Sequence, residues 1–162
     1  MAETIIRNMI ADYLDVGTGG TPEYVLMGTG FNSLDESPQA QVDTKAYISD
    51  KSATTTIKGY QAQFPFDTDL IKDEKAVMAL YNVGRNQLQA GRAVMTYVRV
   101  ELFEDAAAGA YPARQFKVAV QVDSISGAGA EVIHVSGNLN GVGDFVAGTF
   151  NTSTKAFTPT AG

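Results

Sequence analysis

The chain contains no cysteine and no tryptophan, and it has a single histidine among its 162 residues. The lack of cysteine excludes disulfide bonds, thiolate metal sites and cysteine nucleophiles. A single histidine cannot supply a pair of histidine ligands to a metal. His134 lies between Ile133 and Val135 in a predicted strand, and we interpret it as structural. We therefore expect no catalytic site, no metal site and no cofactor.

The chain also lacks a surplus of basic residues and any long run of apolar residues. The net charge is −6 and the isoelectric point is about 4.6, whereas proteins that grip a nucleic-acid backbone need a basic surface. No run of about 18 apolar residues occurs, so we predict no membrane span. There is no Gly-x-Ser-x-Gly elbow and no glycine-rich loop ending in Gly-Lys-Ser or Gly-Lys-Thr. An enzyme is thus the least expected class of protein.

Glycine, threonine and valine are abundant, a composition that favours strands and tight turns. The length fits one domain. We divide it into an N-terminal arm and hinge at 1–22, a body at 23–158 and a tail at 159–162. Within 1–16 the apolar spacing suits a short amphipathic helix, or equally an arm that packs on a neighbouring chain.

Apolar periodicity predicts the main elements of the body. Period-two alternation predicts strands at 54–66, 93–104, 115–124 and 131–139, of which the last two are expected to pair as a hairpin. Apolar residues at helical spacing predict one flanking α-helix at about 73–88. The fold class is therefore mainly β.

The stretch from 40 to 66 is the most informative part of the chain. Residues 40–53 predict a long polar loop with an apolar tip at Tyr47 and Ile48. Residues 54–66 predict a half-buried strand, with Tyr60 among its inward side chains, that anchors this loop. Long loops in compact domains usually carry function, so we predict that this loop contacts other copies of the chain. The contact residues would be Val42, Lys45, Tyr47, Ile48, Asp50 and Lys51.

Several short motifs occur in an order that is similar to one known family. They are 27–31 (Met-Gly-Thr-Gly-Phe), 47–55, 59–60, 64–69, 80–86, 98–101, 137–140, 143–144 and 148–150. In order and spacing they resemble the tail tube, or major tail, proteins of long-tailed bacteriophages and of phage-tail-like particles. The resemblance covers residues 24–158.

This resemblance implies a β-sandwich with a barrel-forming sheet, one flanking helix and a long inter-ring loop. It implies hexameric rings that stack into a hollow tube, through which DNA passes into the host without specific binding. The implied partners are further copies of the chain, a tape measure protein and tail terminator or baseplate proteins. The implied location is the tail of a virion assembled in the cytoplasm of a bacterial host, without a membrane.

An acidic channel would repel phosphate and let DNA slide. We predict that the polar faces of the strands line this channel through Gln61, Gln63, Lys117, Gln121 and Asp123, with Lys117 as an exception in sign. Two alternatives remain open. The chain could form the tube of a contractile tail or of a secretion-type injection system, or it could be a monomeric β-sandwich binding module.

Overall fold

A computed structural model describes residues 3–17, 20–104 and 109–160. The described residues are mainly strands with one α-helix, which confirms the predicted fold class. The strands are Ile10–Asp15 (β1), Tyr24–Leu26 (β2), Phe31–Leu34 (β3), Ala40–Lys45 (β4), Thr54–Tyr60 (β5), Gln63–Asp69 (β6), Val94–Glu101 (β7), Ala110–Ser126 (β8), His134–Gly141 (β9), Val146–Asn151 (β10) and Ala156–Pro159 (β11), and the helix is Lys75–Arg85 (α1).

Nine strands form one antiparallel sheet, and β4 and β5 form a separate two-stranded sheet. The large sheet runs in the order β2-β1-β7-β8-β9-β6-β3, while β10 pairs with both β8 and β11. The long strand β8 pairs with β7 along one edge, and with β9 and β10 along the other. Residues 27–30 alone join β2 to β3, so the sheet must curl until its two ends lie near each other.

Two apolar clusters fill the interior. The larger cluster lies beneath α1, where the ring of Phe64 is 4.8 Å from the rings of both Tyr97 and Phe116, measured between centroids. The smaller cluster lies where Tyr13 of β1 contacts Phe150 of β10, with ring centroids 4.4 Å apart. Because neighbouring residues of β7 point into different clusters, this strand is buried on both faces.

The N-terminal region differs from the prediction. Residues 10–15 form β1, which pairs with β2 on one side and β7 on the other, so these residues are not the predicted helix and belong to the sheet of their own chain. Tyr13 and Leu14 are both buried although they point to opposite faces. A strand covered on both faces shows no alternation of apolar and polar residues. The apolar spacing therefore did not predict a strand here. Residues 18 and 19 of the predicted hinge, and residues 161 and 162 of the tail, lie outside the described residues.

The predicted strand at 54–66 is two strands. Only β6 joins the large sheet, where Phe64 and Phe66 are buried as expected. The first half, β5, leaves the body and pairs with β4, so residues 40–45 are a strand rather than loop. Tyr60 is 69% exposed, and its assignment to the inward face is wrong. The predicted hairpin of β8 with β9 is confirmed.

The helix occurs inside its predicted range and packs against β8. A Cβ added at Gly84 would lie 2.8 Å from Cγ1 of Val122, so glycine allows the close approach of helix and strand. Among the described residues, α1 included, there is no helix of the length and apolarity that a membrane crossing requires.

Candidate assembly surface

The hairpin formed by β4 and β5, residues 40–60, stands apart from the body. Every residue from 40 to 58 is exposed. Val42 pairs with Ile57 and Ala40 with Tyr60, and cross-strand partners share a face. Val42 and Ile57 are 58% and 49% exposed, so the hairpin presents an apolar face that the described residues do not cover.

The tip of the hairpin, residues 46–53, is nevertheless held in a defined turn. The backbone N–H of Tyr47 donates to Oδ2 of Asp50 at 2.7 Å, and the N–H of Asp50 donates back to the carbonyl oxygen of Tyr47 at 2.9 Å. Lys45 Nζ lies 4.8 Å from the centroid of the Tyr47 ring. This turn presents Ile48, which is fully exposed, and Lys51 beside it is exposed too. Such an ordered apolar tip is preorganised for binding.

The root of the hairpin, residues 37–39 and 61–63, ties it to the large sheet. Ser37 and Gln63 exchange two backbone hydrogen bonds of 2.8 Å. Gln39 has a positive φ of 50°, a conformation that is uncommon outside glycine. Its side-chain Nε2 donates to Gln63 Oε1 at 3.0 Å, and its carbonyl oxygen accepts from the N–H of Gln61 at 3.2 Å.

A buried ionic network lies beneath this root. Arg114 donates two hydrogen bonds of 2.7 Å to the carboxylate of Glu36, in the segment that leads to β4. Arg99 is buried and lies 3.6 Å from Glu36 and 3.5 Å from Asp12. Asp12, only 1% exposed, also accepts from the hydroxyl of Tyr97. Buried charges persist when paired and hydrogen-bonded in this way.

The environment shifts the pKa values of four groups in this network, and those of Arg99 and Arg114 are both raised. Hydrogen bonds from Arg114 lower the pKa of Glu36, against an opposing effect of burial. Burial, and then the charge of Asp12, raises the pKa of Tyr97 well above its usual value. Glu36 therefore stays ionised and Tyr97 stays neutral near pH 7.

A cleft of 370 Å³ opens between the hairpin root and the β9–β10 connection. Its apolar walls are the rings of Tyr60, Phe116 and Phe145, and the last two have centroids 5.5 Å apart. The guanidinium of Arg114 lies 5.3 Å and 5.7 Å from the centroids of Phe116 and Phe145. Its Nε is buried and has no hydrogen-bond partner among the described residues. Asp144 adds a second carboxylate to the lining.

A second groove, of 460 Å³, marks the seam where the two ends of the curled sheet approach. Leu26 and Phe31 line it, from strands at opposite ends of the sheet order. Arg7 spans the seam, because its Nη2 donates to the carbonyl oxygen of Leu34 at 3.0 Å and to Asp12 Oδ2 at 2.5 Å.

Four of the five residues predicted to line a channel, Gln63, Lys117, Gln121 and Asp123, lie on one sheet face. Gln121 Nε2 donates to Asp123 Oδ1 at 2.7 Å, and Asn140 Nδ2 donates to Gln121 Oε1 at 3.0 Å. Asn140 pairs with Gln63 across the sheet. Lys117 lies on the same face of β8 as Gln121, by strand alternation. Gln61 precedes β6, at the root. This polar face lies opposite the core face that carries Phe64, Phe116 and Val120.

The six residues predicted to contact other copies all lie in the hairpin. Val42 and Lys45 lie in β4, and the other four lie in the tip. Sequence reasoning missed the apolar face partners Ile57 and Tyr60, although their alternation with polar residues was visible. It also missed the ionic network, whose members are too distant in the chain for any spacing signal. The described residues hold no group of three or more acidic or histidine side chains that could bind a metal, and His134 contacts Asp69, with Nδ1 2.9 Å from Oδ1.

The chain was compared with known proteins. No family model matches it, and no curated protein matches it. Among solved structures, it is similar to a chain in the six-fold symmetrised cryo-EM structure of the anti-feeding prophage baseplate. The TM-score is 0.56 at 9% sequence identity, and the match covers 91% of this chain and 97% of that chain. At this identity the likeness establishes a shared fold.

Proposed function

We propose that this chain is a structural, self-assembling subunit of a phage tail or phage-tail-like particle, and that its copies form hexameric rings that stack into a tail tube. The observation that carries the proposal is the hairpin of β4 and β5. Its residues 40–58 are exposed and its apolar face is uncovered. An isolated two-stranded hairpin is only marginally stable in water, so its order calls for a covering partner.

The fold likeness supports the same proposal. The similar chain belongs to a six-fold symmetrised baseplate, and a shared fold over nine-tenths of both chains makes ring symmetry a reasonable model for this chain. The further partners would be a tape measure protein and tail terminator or baseplate proteins. The location would be the virion tail, after assembly in the host cytoplasm.

The polar face of the sheet is the proposed wall of the channel. Its amides hydrogen-bond to one another, and the charge of Asp123 offsets that of Lys117 on this face. A nearly neutral to acidic wall offers phosphate few partners, so DNA would pass without binding.

Negative-stain electron microscopy of concentrated protein tests this function. We expect six-fold rings in end view and stacked tubes in side view, and an apparent mass in size-exclusion chromatography that rises with concentration. A homogeneous 17.2 kDa species at every concentration and salt would contradict the proposal and favour a monomeric binding module.

The match to a baseplate chain favours a second candidate. In this candidate the subunit forms one ring at the end of a tube, in a contractile tail or an injection system. Single rings that do not lengthen at high concentration would support this candidate, whereas tubes of variable length would support the first.

A further inference from the structure

We infer that the tip of one copy's hairpin binds in the cleft at the hairpin root of the next copy, with Ile48 and Tyr47 packed against Tyr60, Phe116 and Phe145. This inference rests on the proposed function and deepens it by naming the donor and acceptor surfaces. The occupant of the cleft is a second copy of this chain.

Shape and distance support an intermolecular contact. The strand β5 of seven residues spans about 20 Å at the usual rise per residue. Tyr60, at one end of β5, lines the cleft, while the tip lies beyond the other end. A hairpin cannot fold its own tip back onto its own root. Each copy therefore offers one tip and one cleft, and such head-to-tail contacts repeat from copy to copy.

The chemistry of the two surfaces is complementary. The tip presents one aliphatic and one aromatic side chain in a turn that Asp50 already fixes, so little conformational entropy is lost on binding. The cleft presents aromatic rings. Arg114, whose guanidinium lies over the rings of Phe116 and Phe145, lines the cleft as well.

Charge favours the same pairing. Residues 40–58 hold three lysines and two aspartates, one surplus positive charge, in a chain of net charge −6. Lys45 and Lys51 flank the apolar tip, whereas Glu36, Arg114 and Asp144 line the cleft and leave one surplus negative charge there. Opposite charges around an apolar contact steer association and fix its register.

The absence of cysteine allows a direct cross-linking test. The double variant Ile48→Cys with Phe145→Cys places one thiol on the tip and one in the cleft, and a disulfide forms only when the Cα atoms come within about 7 Å. Under mild oxidation we expect a ladder of dimers, trimers and longer species on a non-reducing gel. The ladder should disappear with dithiothreitol. Each single variant should remain a monomer on this gel, because the inferred contact brings residue 48 of one copy to residue 145 of another copy and not to its own counterpart.

The matched control is Ile48→Cys with Leu26→Cys, which places the second thiol at the seam groove. We expect no ladder from this pair. A ladder from the control but not from the cleft pair would overturn the inference and place the tip in the seam groove. If sedimentation shows that the cleft pair assembles but the gel shows no ladder, the inference is overturned and the proposed function stands. A chain that stays monomeric in sedimentation would instead overturn the proposed function.

Discussion

Glu36 is the single residue on which the attachment of the hairpin most depends. It lies four residues before β4 and accepts two hydrogen bonds from Arg114, while Arg99 lies 3.6 Å away. Its carboxylate therefore links β7 and β8 to the segment that enters the hairpin. The charge is partly buried, so its loss would leave Arg114 without its main partner.

Protonation of Glu36 should weaken the fold in acid. Its pKa is lowered in the folded protein by the Arg114 hydrogen bonds, so its contribution to stability is present above the ordinary glutamate pKa of about 4.3. That contribution is lost as the pH falls through the lowered value. We expect Glu36→Gln to be less stable than the wild type at pH 7 by about 1–3 kcal/mol, with a smaller difference at pH 3. Urea unfolding of the variant and the wild type at several pH values measures this difference in stability.

The control for this variant is Glu131→Gln. Glu131 is exposed and has no ion pair among the described residues, so this variant should follow the wild type at every pH. A stability gap between Glu36→Gln and the wild type that stays constant from pH 7 to pH 3 would refute the role of Glu36.

The residue-level details of this network could not be predicted from sequence. Arg99 was visible as a polar residue within a predicted strand, but its burial depends on Asp12 and Glu36, which are distant in the chain. The apolar tip at Tyr47 and Ile48 could be predicted, because two apolar residues stood alone in a polar stretch. Sequence shows which side chains are unusual, whereas a buried charge network appears only when the strands are assembled.

Among the elements, β1 changes the interpretation of the N-terminus most. It lies inside the sheet order between β2 and β7, and it contributes Tyr13 and Leu14 to the two core clusters. We therefore expect deletion of residues 1–16 to abolish folding rather than only stacking, because it removes a buried strand and the Asp12 charge. Circular dichroism and thermal melting of the truncated chain measure this. A truncated chain that melts cooperatively like the wild type would contradict it.

The pairing of β9 with β8 depends on a glycine. A Cβ at Gly137 would lie 1.9 Å from the carbonyl oxygen of Gln121, and this neighbour is backbone that cannot rotate away. We expect Gly137→Ala to destabilise the fold by about 1–3 kcal/mol, the usual cost of overpacking. The control is Gly129→Ala, where no atom lies within 4 Å of the added Cβ. Thermal melts of the two variants should differ clearly, and equal melts would contradict this packing.

The tip should matter for assembly and not for folding. We expect Tyr47→Asp and Ile48→Asp each to remain folded and soluble but to assemble at least tenfold less, because a charge replaces a desolvated apolar contact. Ser52→Asp is the control, since it adds the same charge to an exposed polar position of the tip. Size-exclusion chromatography and melting curves measure both properties. Loss of folding in Ile48→Asp would mean that the tip belongs to the core.

Element by element, the sequence was most informative where one face of a strand or helix is buried. The alternation of Phe116, Val118 and Val120 predicted β8, and the helical spacing of Val77 and Leu80 predicted α1. It failed at β1, where both faces are buried. It also misassigned Tyr60, because alternation shows which residues share a face and not what covers that face.

At the scale of the whole molecule, the chain consists of a curled sheet that is well packed and a hairpin that is not. The body buries two apolar clusters and pairs its buried charges, whereas residues 40–58 are exposed throughout. Such a division separates stability from assembly. Removal of the hairpin should therefore leave the body folded and take away the ability to associate.

Sedimentation velocity of the wild type beside a hairpin-replaced variant tests this account most directly. In the variant, residues 42–58 are replaced by Asn-Gly, which joins the paired residues Gln41 and Gly59 in a two-residue turn. We predict that the wild type forms species far above 17.2 kDa that grow with concentration, and that the folded variant sediments as a monomer throughout. A monomeric wild type, or a variant that assembles as well as the wild type, would contradict the account.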